Sequence, residues 1–299
     1  MRVRAVFPWL AFPMAAALWG QVSMPAYWRY TPPAPSLLLG LDWRQASQSS
    51  LSALAAASVN LEFAEQLGSI LVTAEPGAAK GRFLAVATGR FNVSKLRRMA
   101  AAEGARTVRF RGLEIFSAGG VEVTVAGDGV LLAGDAASLR AALERGGTVT
   151  PRDSAIWRQA ADLTRRYSLW AVSTEALPVA SPLLAGVRSF AGGVAFERGL
   201  QLALDLNTAS EDSAQTLAEA LERAPGLHGL VVRAEGSDVR LTATVDAERP
   251  EASLKKLSAW ILAPPEAAPE LPPPPRRKTI LIVGLDEGTR EIPLRALQR

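Results

Sequence analysis

Strands and amphipathic helices follow one another twice along this chain in the same order. In the first copy, residues 36–148, the pattern predicts these elements: a strand at 36–43, a helix at 51–58, strands at 68–75 and 82–88, a helix capped by Asn92, a hairpin turning at Asp128-Gly129, and a helix capped by Asp135. Together they predict a β-α-β-β-α-β-β-α unit.

The second copy, residues 154–262, repeats this order of elements with little sequence identity. Its predicted elements are a helix at 157–166, strands at 167–173, 192–198, 200–206 and 240–245, a helix that begins with a capping box of Thr208 and Glu211, and a helix that begins near Pro250. The boundary between the copies is expected near 146–153.

Several predicted strands alternate apolar and polar residues. Val121, Val123 and Val125 point to one side of their strand, and Glu122 and Thr124 point to the other. Such alternation predicts a sheet with one buried and one solvated face. We therefore expect an α+β fold of two tandem units, with largely antiparallel sheets covered by helices on one face.

Composition limits the chemistry that the chain can perform. Of its 299 residues, 48% are hydrophobic and 21% are charged, which is typical of a folded protein. There is no cysteine, which excludes disulfides, thiol catalysis and cysteine-ligated metal centres. His228 is the only histidine, so histidine-based catalysis and polyhistidine metal sites have little support.

Residues 1–26 are expected to direct the protein out of the cytoplasm. Arg2 and Arg4 precede an uncharged, mostly apolar run, which is the pattern of a secretory signal peptide. The alternative is an uncleaved signal anchor, since the run approaches the roughly 20 residues that span a bilayer. Both alternatives predict an extracytoplasmic protein, either periplasmic or anchored in the membrane by this segment alone.

The C-terminal part is a proline-rich linker, 263–277, followed by a predicted β-hairpin, 278–299. Its first strand, Ile280-Leu281-Ile282-Val283, is apolar on both faces. Because a lone two-stranded hairpin is marginally stable in water, this strand should pair with another edge. That edge belongs either to the chain's own sheet or to a partner, which we expect to be another envelope protein joined by strand addition.

The net charge of +4 raises the question of nucleic-acid binding. The basic residues that come nearest to a stripe are Lys95, Arg97, Arg98, Arg106, Arg109 and Arg111. No aromatic residues are interleaved with them to stack bases. We therefore interpret them as a solvated surface and expect no nucleic-acid partner.

The sequence contains no constellation typical of an enzyme. Ser253 and Lys256 fit S-x-x-K, but the S-D-N and K-T-G elements of that class are missing. His228 follows no nucleophile elbow and is expected to be structural. Trp43 and Trp170 are expected to pack in the core. We predict no catalytic residue, no metal or cofactor site, and a protein that is not an enzyme.

One resemblance covers mainly residues 82–145. The stretch 134–144, Gly-Asp-Ala-Ala-Ser-Leu-Arg-Ala-Ala-Leu-Glu, is preceded by Val130-Leu131-Leu132 and by the segment 111–116. It resembles uncharacterised secreted bacterial proteins that have a strand, a GD-x-x-x-(L/V)-R-x-A helix and a tandem α+β organisation. The resemblance implies an envelope location and this type of fold, and it implies no activity.

Two functions are compatible with these features. The first is a non-catalytic envelope protein that acts through protein–protein interaction, with the C-terminal segment as the added strand. The alternative is an extracytoplasmic carrier of a lipid or another apolar small molecule, which concave sheets could enclose.

Overall fold

A computed structural model describes ten stretches of the chain and three isolated positions. The stretches are 25–49, 67–75, 82–127, 129–146, 154–176, 186–196, 200–223, 227–245, 279–282 and 290–293, with 184, 252 and 256 as single residues. The predicted helix at 51–58 and most of the N-terminal targeting segment lie outside the described residues. Of the predicted helix near Pro250, only Ala252 and Lys256 are described, and both are helical.

The described strands form one twelve-stranded antiparallel sheet and one separate pair. The strands are β1 Leu37–Asp42, β2 Leu67–Glu75, β3 Arg82–Gly89, β4 Arg106–Phe110, β5 Leu113–Ala118, β6 Val121–Val125, β7 Val130–Gly134, β8 Leu169–Ser173, β9 Val187–Ala195, β10 Leu200–Thr208, β11 Leu227–Glu235, β12 Asp238–Val245, β13 Thr279–Ile282 and β14 Arg290–Pro293. The large sheet has the order β11-β12-β10-β9-β8-β1-β2-β3-β7-β6-β5-β4, and β13 pairs with β14. This architecture confirms the predicted α+β class and antiparallel pairing.

Helices connect the strands. They are a 3₁₀ helix Ala26–Tyr30, α1 Trp43–Ser47, α2 Val93–Ala102, α3 Ala136–Arg145, α4 Ala155–Arg166 and α5 Glu211–Leu221. Asn92 caps α2 and Asp135 caps α3, as predicted. The prediction of a capping box at Thr208 is wrong. Strand β10 extends through Thr208, and the Thr208 N–H donates to the Ser237 carbonyl at 2.8 Å. Ser210 caps α5 instead.

The two halves of the chain meet at the middle of the sheet. Strand β1 pairs with β8, which places Gly40 opposite Trp170. The Trp170 indole lies over Gly40, where a Cβ atom would come within 2.2 Å of the ring. Trp170 and Trp157 join Trp28 in the central core, with ring centroids 6.0 and 5.0 Å from that of Trp28. The halves therefore share a core, and Trp28, at the end of the uncharged N-terminal run, is part of it.

Helices cover both faces of the sheet, so the prediction of one covered face is wrong. On β9, Ala191 packs in the cluster that contains α4, whereas the adjacent Phe190 packs against the cluster that contains α5. Consecutive residues of a strand point to opposite sides. We call the side of Ala191 and Leu38 the front face, and the side of Phe190 and Leu39 the back face.

The front face lies beneath α3, α4 and the 3₁₀ helix, whose buried residues pack with Leu38, Leu71, Leu84 and Val172. The back face is covered at its two ends. Helix α5 packs over β10–β12. Helix α2 contacts β5, where Arg97 donates two hydrogen bonds to the Glu114 carboxylate at 2.7 and 3.1 Å.

The Gly134-Asp135 motif fastens α3 to the sheet. A Cβ atom at Gly134 would lie 2.5 Å from the Phe83 carbonyl oxygen, so the close approach of β7 to β3 requires glycine. Asp135 accepts hydrogen bonds from the backbone N–H groups of Ala137 and Ser138 and, across the sheet, of Phe83. Partial burial raises the pKa of Asp135, but these hydrogen bonds outweigh it and hold the pKa below its ordinary value. The motif is thus a structural element.

Candidate functional site

Strand β6 buries its polar residues fully and its apolar residues only partly, the reverse of what alternation predicts. Glu122 is 5% exposed and Thr124 is fully buried on the front face, beneath α3. Arg140 of α3 donates to the Glu122 carboxylate at 3.2 Å, and the Thr124 hydroxyl donates to the Glu114 carbonyl at 2.7 Å. The valines of β6, including Val123, lie half-buried on the back face. An arrangement that violates a folding preference in this way is typical of a functional surface.

The register of the strands continues this apolar surface across the middle of the sheet. Residues directly opposite one another in antiparallel strands share a face. One row, from β6 to β8, consists of Val123, Ala133, Ala85, Val72, Leu39 and Ala171. The next row consists of Val125, Leu131, Ala87, Ile70, Leu41 and Leu169. Neither row contains a polar side chain.

The two rows form the floor of a trough between α2 and α5. Seven strands lie between β10 and β5 in the sheet order, so these two strands are eight strand spacings apart, roughly 38 Å at about 4.8 Å each. Leu39, at its centre, is 38% exposed, and Ile70 and Val72 beside it are half-buried. We call this surface the apolar trough.

A polar cleft lies at one end of β1 and β2, on the front side of the sheet, where Gly40, Trp170 and the C-terminal end of α4 line it. Leu41 and Ile70 border a cavity of about 290 Å³ that is also lined by Ser69, Gln45 and Arg165. Arg165 and the neighbouring Arg166 form ion pairs with Asp162 of the same helix. The arrangement provides an apolar surface that can exclude water from a ligand, next to groups that can hydrogen-bond its polar end.

Most of the residues considered in the sequence have no part in this trough. Trp43 and Trp170 are 5% and 4% exposed, as expected for packing residues. Within the described stretches, no group of three or more histidine or acidic side chains could hold a metal ion. Ser253 and the side chain of His228 lie outside what the structure describes, and Lys256 is exposed. No helix in the described part of the chain is both long and apolar enough to cross a membrane.

The predicted partner strand is present as a strand, except for its last residue. Ile280, Leu281 and Ile282 lie in β13, opposite β14, and Val283 lies outside the described residues. The pair forms its own two-stranded sheet. Pairing of this strand with the chain's own large sheet, one of the two expected arrangements, is therefore not observed.

Sequence reasoning missed the trough, although a signal for it was present. Strands β1, β2 and β8 contain apolar residues on both faces, as in Leu37–Asp42, which reads Leu-Leu-Leu-Gly-Leu-Asp. Such runs are typical of strands that are covered on both faces. Among the described residues, these strands have a helix on only one of their two apolar faces, so the other apolar face has no described partner.

Comparisons with known proteins define the fold and no more. No family model matches the chain, and no curated protein is significantly similar to it. Three crystal forms of TP0453 are similar in structure. Form I has a TM-score of 0.56 at 8% identity and covers 78% of this chain and 97% of its own. Form IV has a TM-score of 0.54 at 11% identity, covering 76% and 95%, and form III has a TM-score of 0.53 at 9% identity, covering 79% and 99%. At such identities the likeness shows a shared α+β fold alone.

Proposed function

We propose that this chain is a non-catalytic, extracytoplasmic binding protein whose apolar trough holds an amphiphile with a long apolar chain. The observation that carries the proposal is the inversion on β6, where a glutamate and a threonine are buried while valines line the open back face. The location outside the cytoplasm rests on the charged, then apolar, N-terminal sequence.

The dimensions and chemistry of the trough support an amphiphile over a purely apolar compound. An acyl chain laid along the second row would contact Leu131, Ile70, Leu41 and Leu169 and displace ordered water from them. Its polar end would extend around the end of the strands past Leu41 and Ile70, which also border the cleft, toward Gln45, where hydrogen-bonding groups replace water.

Titration of the purified full-length chain with cis-parinaric acid, a fluorescent 18-carbon fatty acid, tests the proposal. We expect saturable binding that Leu39→Asp weakens by more than tenfold, because the new carboxylate would have to be desolvated beneath the acyl chain. The matched control is Val231→Asp on β11, since Val231 is 47% exposed but lies outside the trough. Equal affinity for both variants would refute the proposal, provided both unfold at the same temperature as the parent.

A second candidate function rests on the terminal strands. Because β13 and β14 form a sheet of their own, their outer edges remain available to another polypeptide. This arrangement favours the expectation of an envelope protein that adds a strand through Ile280–Ile282 to a partner. Deleting residues 278–299 would then abolish co-purification of that partner and leave fatty-acid binding unchanged; a partner retained by the shortened chain would contradict it.

We further infer that the halves of the sheet descend from one repeated unit. The orders β1-β2-β3-β7-β6 and β8-β9-β10-β12-β11 both run outward from the central pair, and a helix follows both β3 and β10. The first half adds the hairpin β4–β5 beyond this common order. Separate expression of 36–148 and 154–262 would show whether either unit folds without the other.

A further inference from the structure

The additional hairpin β4–β5 and the preceding helix α2 together carry the basic surplus of the whole protein. Residues 93–118, which span α2, β4 and β5, contain six basic and two acidic residues, a surplus of four. The complete chain has 33 basic and 29 acidic residues, also a surplus of four. The rest of the chain is therefore neutral overall, and the excess positive charge lies at one end of the sheet.

Strand β4 is the edge of the sheet at this end. Among the described strands it pairs only with β5, from Arg106 opposite Ser117 to Phe110 opposite Leu113. Its first four residues are exposed, and Val108 is 44% exposed. An edge of this kind presents backbone N–H and C=O groups that a further strand can pair with.

The hairpin turn fixes which backbone groups face outward. Arg111 and Gly112 have φ angles of 50° and 80°, the positive values of a two-residue type I′ turn. Such a turn makes Phe110 and Leu113 a hydrogen-bonded pair, so alternate residues counted back from Phe110 pair with β5. The backbone groups of Thr107 and Arg109 therefore point away from the sheet.

Contacts within the chain hold the hairpin β4–β5, and so the β4 edge, in a fixed position. The Arg111 guanidinium donates to the Glu144 carbonyl at the end of α3, at 3.4 Å, and its side chain packs over the Phe110 ring at 6.0 Å. Strand β5 is tied in turn to α2 through Glu114 and Arg97. A preformed edge loses little conformational entropy when it binds.

The charges on β4 define its partner. Arg106 lies on the front face and Arg109 on the back face, because successive side chains of a strand alternate. A second copy of this edge would meet like charges, which oppose pairing. We infer that β4 binds an extended polypeptide segment that carries acidic side chains on both of its faces, added as a thirteenth strand. This inference is independent of the apolar trough, which lies on other strands.

A blocked ten-residue peptide, rich in Val and Thr and with two adjacent Glu residues at its centre, is a suitable probe. We expect saturable binding to the full-length chain and slower hydrogen exchange at the Thr107 and Arg109 amides, which a purely electrostatic contact would not produce. Arg106→Gln together with Arg109→Gln should weaken binding by about two- to thirtyfold, the range for two exposed ion pairs. Arg233→Gln on the opposite edge strand, β11, is the matched control and should have no effect.

Two further variants separate strand addition from charge attraction. Thr107→Pro removes an outward N–H group from an edge position that tolerates proline, and should abolish binding while both arginines remain. A peptide with the same Glu residues but N-methylated at alternate amides should also fail to bind. The inference is overturned if the methylated peptide binds as well as the parent, or if the chain binds phosphatidylglycerol vesicles and not the peptide.

Discussion

Leu38 and Leu39 are neighbours on β1 with opposite environments, and truncating each to alanine tests whether the back face is open. Leu38 is fully buried on the front face, beside Trp28 and Trp170. Its loss should leave a cavity and lower the free energy of unfolding by about 3 kcal/mol. Leu39 is 38% exposed. Since full burial of a leucine side chain contributes about 1.5–3 kcal/mol, its covered part predicts a loss of only about 1 kcal/mol.

Urea denaturation of Leu38→Ala and Leu39→Ala, with the midpoint and slope compared between them, measures the difference. A ratio of about three between the two losses supports an open trough. If Leu39→Ala costs as much as Leu38→Ala, then Leu39 is enclosed by well-packed side chains, and the reasoning that makes it a ligand contact fails. Saturating fatty acid should stabilise the parent protein in the same assay, and should not stabilise Leu39→Asp.

Three further predictions concern the elements that hold the trough in place. Hydrogen bonds hold the pKa of Asp135 below its ordinary value of 3.8, so its contribution to stability is present above that value and is lost as pH falls through the folded-state pKa. Asp135→Asn keeps the helix cap but places an amide group opposite the Phe83 N–H. This variant should flatten the dependence of unfolding free energy on pH between about 5 and 2. Arg140→Ala should destabilise the protein by about 1–3 kcal/mol in chemical denaturation, because it leaves the buried Glu122 without its ion-pair partner. Adding Glu122→Leu to this variant should recover most of the lost stability. No recovery would show that the unpaired glutamate is not the cause of the loss. Trp28→Ala should cost about 3–5 kcal/mol, and a melting temperature close to that of the parent would show that the central cluster does not depend on this residue.

Local signals in the sequence predicted those parts of the fold that local chemistry determines. Asn92 and Asp135 cap helices because their side chains reach backbone N–H groups within the next three residues. The capping box at Thr208 failed for a non-local reason. Its N–H and hydroxyl are engaged by Ser237, 29 residues away, so the strand continues where the sequence pattern begins a helix.

The assignment of buried and solvated faces could not be made from one strand. Val121, Val123 and Val125 looked like a core-facing set because alternation shows only that two faces differ, not which one is covered. The side on which α3 packs depends on Asp135 and Gly134, which bring the helix down on the face of Glu122. An ion pair with Arg140 then makes a buried glutamate acceptable, and the apolar side is left for another contact.

The placement of charge argues that the two proposed surfaces act on different molecules. The apolar trough spans the middle of the sheet, where the rows through Leu39 and Leu41 contain no charged side chain. The basic surplus lies beyond it, on α2 and on the hairpin β4–β5, which the second half of the sheet does not have. Binding of an amphiphile in the trough is driven by desolvation of apolar surface, which salt scarcely weakens. Binding of an acidic strand to β4 depends on exposed ion pairs, which salt screens with a Debye length of about 10 Å at 0.1 M. Raising the salt concentration should therefore release the acidic peptide and retain the fatty acid, and a parallel loss of both would mean that they share one site.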